Sequence, residues 1–309
     1  MEIRPARPED YDAVAAFTRD TWADRGGSDY IPDIYHQWIE PEGAEQATLL
    51  VDMGEETPSD DVGAIAQMVM LSEYEAWAQG MRVAPDYREQ GLATELTHAL
   101  FDWAREQGAR RVRNMIFSWN VPSLANSRHV GFDPGMEFRW ATPDPDPDAE
   151  PSLSVTDDAD AAWALWTGSE MRTALAGLAL DPEESWAVSE LTRAKLHDAA
   201  AEDRLFVVVD DRVSGFTYRN RTYSREQEDE GEVTWAEYAV AVWDDTDACR
   251  ALVDAIRRDA ASVGADRTRV LVPEGVEWVS DVSVARSDVA EQPTFVMEAD
   301  LSALSLTTT

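Results

Sequence analysis

An α/β fold in two successive domains is what this sequence predicts, and three stretches predict it. From Trp77 to Ala104 a strand, a tight turn and an amphipathic helix follow one another, and a second strand and a Gly-Phe turn complete the run by Phe132. Residues 141–152, Ala-Thr-Pro-Asp-Pro-Asp-Pro-Asp-Ala-Glu-Pro-Ser, alternate proline with charge and hold nothing that packs a core, so they read as a stiff, solvated linker. Beyond them the pattern restarts. Leu96, Leu100, Ala104, Gly108, Ala109, Arg111 and Arg113 correspond at one fixed offset to Leu252, Ile256, Ala260, Gly264, Ala265, Arg267 and Arg269, as in a tandem repeat. The expected division is therefore 1–140, a linker over 141–152, and 153–309, and 309 residues suffice for two cores.

In the first half, residues 2–7 suggest a strand, and Pro8-Glu-Asp-Tyr-Asp opens a helix with acidic residues in its first turn and Val14, Phe17 and Trp22 toward a core. Gly26-Gly27 breaks it. A second helix over residues 31–40 carries Tyr35, His36 and Trp38, and strands follow at 47–53 and 62–71. The central strand, 77–83, leads through the turn Arg88-Glu-Gln-Gly-Leu-Ala93 into a helix that buries Leu92, Leu96, Leu100, Trp103 and Ala104 and stops at Gly108. Residues 112–117 form the next strand.

The turn carries the chemistry. A strand, a tight turn and a helix N-terminus aim several unpaired backbone N–H groups at one point, where the helix dipole also favours negative charge, so the stretch reads as a phosphate cradle. It lacks the lysine of a nucleotide P-loop and the G-x-G-x-x-G of a dinucleotide fold. With Val83, Pro85, Arg88, Gly91 and Ala93 in place, it resembles the pyrophosphate loop of the GNAT superfamily of N-acetyltransferases, [Q/R]-x-x-G-x-[G/A] after a strand ending V-x-P. The segment Asn120-Val-Pro-Ser123 to Ser127-Arg-His-Val-Gly-Phe132 is similar to that family's N-x-x-(small)-x-x-x-Y-x-x-x-G-F run.

The resemblance implies GNAT-like domains, each a mixed twisted sheet flanked by helices, with acetyl-CoA as acyl donor and direct attack of a neutral amine on its thioester. It assigns Arg88, Gln90, Gly91, Leu92, Ala93 and Thr94 to the pyrophosphate. Backbone groups at Met81 and Val83 meet pantetheine where the central strand splays from its neighbour, and Gly80 is compatible with a bulge there. Asn120 and Ser123 reach the pantetheine arm, and on the residues alone Asn120-Val-Pro-Ser also reads as a helix cap. An acceptor pocket under the first helices would include Tyr35, His36 and Trp38, aromatic residues that on the sequence alone are more often plain core.

Proton transfer is where the chain departs from the family. Its carboxylate, six residues before Val83, is Trp77 here, and its Tyr is Ser127. Glu75 is the expected general base, through water, with Glu73 and Glu40 as further options; Ser127 stands at the acid position, with Tyr74 or water as alternatives. Arg82, Arg88, Arg110, Arg111, Arg113 and Arg128 concentrate here, either to draw in an anionic cofactor or as ordinary ion-paired surface. His36 and His129 read as surface or core.

The second half begins with a strand near Leu153, expects helices over 158–178 and 182–201, a hairpin over 205–218 and a strand over 234–242 that sets Trp235 where the first half has Trp77. Its counterpart of the cradle, Val242-Trp-Asp-Asp-Thr-Asp-Ala248, puts three aspartates at a helix start. They cap the helix and repel a pyrophosphate, so this half reads as a degenerate copy without a CoA loop. Walling the acceptor pocket, stabilising the first half and pairing subunits are its expected roles, and a homodimer is compatible with the sequence.

Acidic residues number 61 against 26 basic ones, the net charge is −35, and Lys195 is the only lysine. Spread over the whole chain, this resembles the surface of proteins from salt-loving organisms. It excludes binding to nucleic acid or an anionic membrane, which needs clustered Lys and Arg. Cys249 stands alone, no metal-ligand cluster is present, and neither a signal core nor a membrane-length apolar run occurs, so a cytoplasmic location is expected. The acceptor, a small-molecule or peptide amine, is left open. The rival readings are an acyl-CoA-binding sensor that has lost turnover and a purely structural protein.

Overall fold

The computed structural model describes residues 1–22, 28–40, 45–54, 60–227 and 231–303, so the expected break at Gly26-Gly27 lies outside the described residues. The chain forms two compact α/β units. The first comprises 1–116, 120–134 and 296–309, the second 117–119 and 135–295.

In the first unit, β1 (Glu2–Pro5), α1 (Tyr11–Thr18), α2 (Ile31–Ile39), β2 (Gln46–Asp52), β3 (Val62–Met70), β4 (Glu75–Val83), α3 (Leu92–Glu106), β5 (Arg111–Phe117) and α4 (Val121–His129) follow in order, before β6 (Asp133–Thr142). Strands β1 to β4 pair antiparallel in sequence order, and β4 pairs parallel with β5. Such a mixed sheet requires a crossover between its parallel strands, and α3 supplies it. Residues Val62 to Met68 of β3 are buried without interruption, which explains their nearly unbroken apolar run. Leu92, Leu96, Leu100 and Ala104 of α3 are buried as their spacing demands; Trp103 is half-buried, and Phe101 takes a core place against Phe132. Each such leucine contributes roughly 1.5–3 kcal/mol.

The second unit contains β7 (Ser154–Thr156), α5 (Ala159–Gly168), α6 (Glu170–Ala174), β8 (Leu178–Leu180), β9 (Val188–Glu190), α7 (Arg193–Ala201), β10 (Leu205–Val209), β11 (Val213–Gln227), β12 (Gly231–Trp243), α8 (Thr246–Ser262), β13 (Arg267–Pro273), α9 (Val276–Val284) and β14 (Asp288–Val289), and the chain ends with β15 (Thr294–Asp300). Here β7, β10, β11 and β12 pair antiparallel, and β12 pairs parallel with β13 across α8. The order of strand, helix and parallel strand is that of the first unit. The helix expected over 182–201 is shorter. Asp181 accepts hydrogen bonds from the N–H groups of Glu183 and Glu184 and from the Ser189 hydroxyl, so the segment turns back as the small β8–β9 pair before α7 begins.

The last strand of each half is exchanged. In the first unit the neighbour of β5 is β15, from the far end of the chain, while β6 pairs antiparallel with β13 in the second unit. Glu298 of β15 pairs with both Arg111 and Arg113 of β5, and the Leu301 N–H donates to the Arg110 carbonyl at 2.8 Å. The expected division at 140 therefore gives way to one in which each half completes the other's sheet. Nor is 141–152 a solvated linker: Ala141 is buried in β6, the Pro143 carbonyl accepts from Thr268, and the Asp146 N–H donates to the Arg257 carbonyl at 3.0 Å. The Pro143 carbonyl and the Asp146 N–H thus find their partners in the second unit.

Candidate functional site

β4 ends at Val83, a 3₁₀ turn spans Pro85–Tyr87, and Arg88 is extended before the chain enters α3 through Gly91. Glu89 and Gly91 both have positive φ, +63° and +85°. That backbone favours glycine, and the space around Gly91 is open, with no atom within 4 Å of where a Cβ would stand. The Gly91 carbonyl takes the N–H groups of Thr94 and Glu95 as the helix starts. Among the described residues nothing accepts from the N–H groups of Gln90, Gly91, Leu92 or Ala93. Gln90 and Gly91 are exposed, Leu92 is buried in the core, and Ala93 and Thr94 are half-buried. Arg88 is exposed and forms no ion pair among the described residues, so its charge is available at the turn.

Next to the turn the sheet opens. β4 and β5 pair only from Glu75–Arg111 to Trp77–Arg113, after which β4 runs on to Val83 with, among the described residues, no partner on its β5 side. On its other side β4 carries a bulge: Ile65 pairs with Arg82 and Gln67 with Gln79, so Gly80 and Met81 together oppose one residue of β3. Gly80 has φ +67°, and the indole of Trp38 from α2 lies against it where a side chain would be. Met81 and Val83 are half-buried on this free edge. The Trp38 carbonyl accepts from Gln46, Thr48 and Gln67, which ties the end of α2 to β2 and β3.

Asn120 caps α4, its side-chain oxygen accepting from the Ser123 N–H at 3.3 Å. Ser127 is buried one turn on and accepts from Asn114 Nδ2 at 3.1 Å. Asn114 follows directly on the last β4–β5 pair, and its Oδ1 is buried without a hydrogen-bond partner among the described residues.

Glu75 sits elsewhere. It lies at the start of β4, about 25 Å along the strand from Val83 at ~3.3 Å per residue. It is buried, its carboxylate paired with Arg113 and close to the Ser72 hydroxyl, and Arg113 is also held by Glu298 at 2.6 Å. The Glu75 carboxylate is thus committed to a buried arginine at the closed end of the sheet, so the residue expected as the general base is placed as a structural brace. The arginine-rich run is mostly ion-paired as well: Arg82 with Asp29 at 2.5 Å, Arg111 and Arg113 with Glu298, and Arg128 with Asp133. Arg82 also lies over the rings of Trp22 and Tyr30. His36 stacks on Tyr11, and His129 is exposed. The sequence held no signal for Asn114 or Asp29, since a lone Asn in a strand and an Asp in a loop acquire meaning only from what the fold brings beside them.

Residues 1–133 match the acetyltransferase (GNAT) domain family. Three solved structures share the fold over 97% of the chain. They are a GCN5-related N-acetyltransferase from Sphaerobacter thermophilus (14% identity, 95% of that chain, TM-score 0.60), and proteins assigned as acetyltransferases from Thermoplasma acidophilum (16%, 100%, 0.57) and Pyrococcus horikoshii (12%, 89%, 0.51). At these identities the likeness concerns the fold. No curated protein matches the chain.

The second unit differs at the matching place. Asp245 caps α8, accepting from the Ala248 N–H at 2.9 Å, and Asp281 of α9 accepts from Trp243 Nε1 and the Thr246 hydroxyl at 2.9 and 2.7 Å. The register also corrects one correspondence: Trp235 pairs with Arg267 and Glu237 with Arg269, so Glu237 stands where Trp77 pairs with Arg113. Glu237 is buried between Arg221, Arg269 and Asn220. Burial pushes its carboxyl up, but Arg269 and Arg221 together hold it below the usual carboxylate range. Among the described residues no group of His, Cys, Asp or Glu could hold a metal ion, and no helix is long and apolar enough to cross a membrane.

Proposed function

We propose that this chain is an N-acetyltransferase that takes its acetyl group from acetyl-CoA and passes it to an amine by direct attack. The observation that carries this reading is the set of unclaimed N–H groups around Gly91, set beside a sheet edge that has lost its partner. The N–H groups of Gln90 to Ala93, with the charge of Arg88, hold the pyrophosphate, and Thr94, whose N–H is taken by the Gly91 carbonyl, closes the turn beside it. Backbone groups at Met81 and Val83 meet pantetheine along the free edge of β4, with Asn120 and Ser123 on its other side. The bulge at Gly80–Met81 turns a backbone N–H toward the tetrahedral oxyanion, a contribution of a few kcal/mol in such sites. The amine nitrogen bonds to the carbonyl carbon and its π pair moves to the oxygen; collapse of this tetrahedral oxyanion re-forms the carbonyl and breaks the C–S bond, and the Ser127 hydroxyl donates a hydrogen bond to the departing sulfur. With Glu75 tied to Arg113, water carries the proton away from the attacking amine, and Glu75 serves to position Arg113 and β5.

The second unit is read as a degenerate copy of the first, its cradle closed by the Asp245 cap and by Asp281. The acidic surface is read as an adaptation to high salt, and the protein as cytoplasmic. The acceptor is a small molecule or a peptide with a free amine.

The test is thiol release from acetyl-CoA in high salt, with and without a panel of polyamines, amino acids and peptide N-termini. Release only with an amine supports the enzyme. The occupied carboxylate of Glu75 and the serine at position 127 favour a second reading, an acyl-CoA sensor, which predicts tight binding of acetyl-CoA and no release with any amine.

A further inference from the structure

Asn114 is the first residue of β5 beyond the last β4–β5 pair, at the apex of the opening. Its side chain is used at one end only. Nδ2 donates to Ser127 Oγ at 3.1 Å, while Oδ1 is buried with no hydrogen-bond partner among the described residues. A carbonyl oxygen shut off from water and left unpaired is costly, and such groups persist where something else claims them. A hydroxyl that accepts at Oγ keeps its own proton to donate, and among the described residues no acceptor takes the Ser127 proton.

We infer that Asn114 is a two-ended positioning residue, its Oδ1 receiving an amide N–H of the pantetheine arm and its Nδ2 holding Ser127 so that the serine hydroxyl donates to the thioester sulfur. This rests on the acetyl-CoA reading above and adds a residue to it. Pantetheine suits the oxygen because each of its amides offers an N–H in the plane of a flexible chain, and because the oxygen lies at the point where the strands part. The serine end acts on charge: a donor aimed at sulfur stabilises thiolate over thiol and lowers the pKa of the bound coenzyme thiol.

The experiment compares wild type, Asn114→Leu and Ser127→Ala, using coenzyme A and adenosine 3′,5′-bisphosphate, which has the phosphates but no pantetheine, as calorimetric probes. Asn114→Leu is expected to weaken coenzyme A roughly three- to tenfold, the value of one hydrogen bond, and to leave the bisphosphate unchanged. Both variants are expected to raise the pKa of the bound coenzyme thiol, followed by thiolate absorbance. Equal affinity of wild type and Asn114→Leu for coenzyme A, or an unmoved thiol pKa in that variant, overturns the inference. Equal weakening of both probes also overturns it, because it marks damage to the fold. Failure of the wild type to bind coenzyme A overturns the acetyl-CoA reading itself.

Discussion

Trp38 packs its indole against Gly80, close enough that a single methyl group on the glycine would collide with the indole Cη2. The contact links α2 to the bulge in β4, so the helix and the strand that lines the opening are set by one another. The backbone at Gly80, φ +67°, is one that other residues adopt at a cost, and the indole removes any room to relax. Gly80→Ala is expected to destabilise the protein by about 2–4 kcal/mol, read from urea unfolding, and to weaken acetyl-CoA binding, read by calorimetry. A variant as stable as wild type would show that the indole moves freely and does not shape the site.

Gly91 is the opposite case, since its φ of +85° is strained for a side chain but the space beside it is open. Gly91→Asp is expected to cost about 1–2 kcal/mol in stability and to lower coenzyme A affinity by roughly 100-fold, because the added carboxylate stands among the free N–H groups. Unchanged affinity would remove the turn from the binding site.

Glu75, read as a brace, makes a prediction that a general base does not. Glu75→Gln removes one partner of the buried Arg113 and is expected to lower stability by about 2 kcal/mol while leaving the shape of the pH–rate profile unaltered. A profile that loses its acidic limb would restore Glu75 to the proton path.

Because β15 completes the sheet of the first unit, removing residues 294–309 is expected to unfold that unit and not merely shorten the chain. Far-UV circular dichroism and coenzyme A binding check this. Glu298→Ala leaves Arg111 without its ion pair and Arg113 with Glu75 alone, and a loss of about 1–3 kcal/mol is expected.

Glu237 gives the second unit a pH dependence of defined sign. Its carboxyl is held below the ordinary value by Arg269 and Arg221, so its contribution to stability is fully present above the unfolded pKa near ~4.3 and is lost as pH falls through the lower folded value. Glu237→Gln is expected to be less stable than wild type at neutral pH, with the difference shrinking below about pH 4, read by denaturation at a series of pH values.

Legible in the sequence are the local pieces: the strand, turn and helix around Gly91, the glycine at the bulge, the cap at Asn120, the Asp cap of α8 and the strand–helix–strand order in each half. These depend on short-range rules of backbone dihedral, hydrogen-bond donor count and apolar period, which a window of a dozen residues contains. Only the tertiary structure decided that β6 and β15 trade places, that the proline stretch is packed, and that β11 extends well past its apolar start through Arg219 to Gln227. It alone decided that Glu75 braces Arg113 while Asn114 meets Ser127 at the opening. Which carboxylate meets which arginine across 38 residues, or which copy of a strand closes which sheet, depends on long-range pairing among segments of nearly equal local preference, and no local pattern encodes that choice.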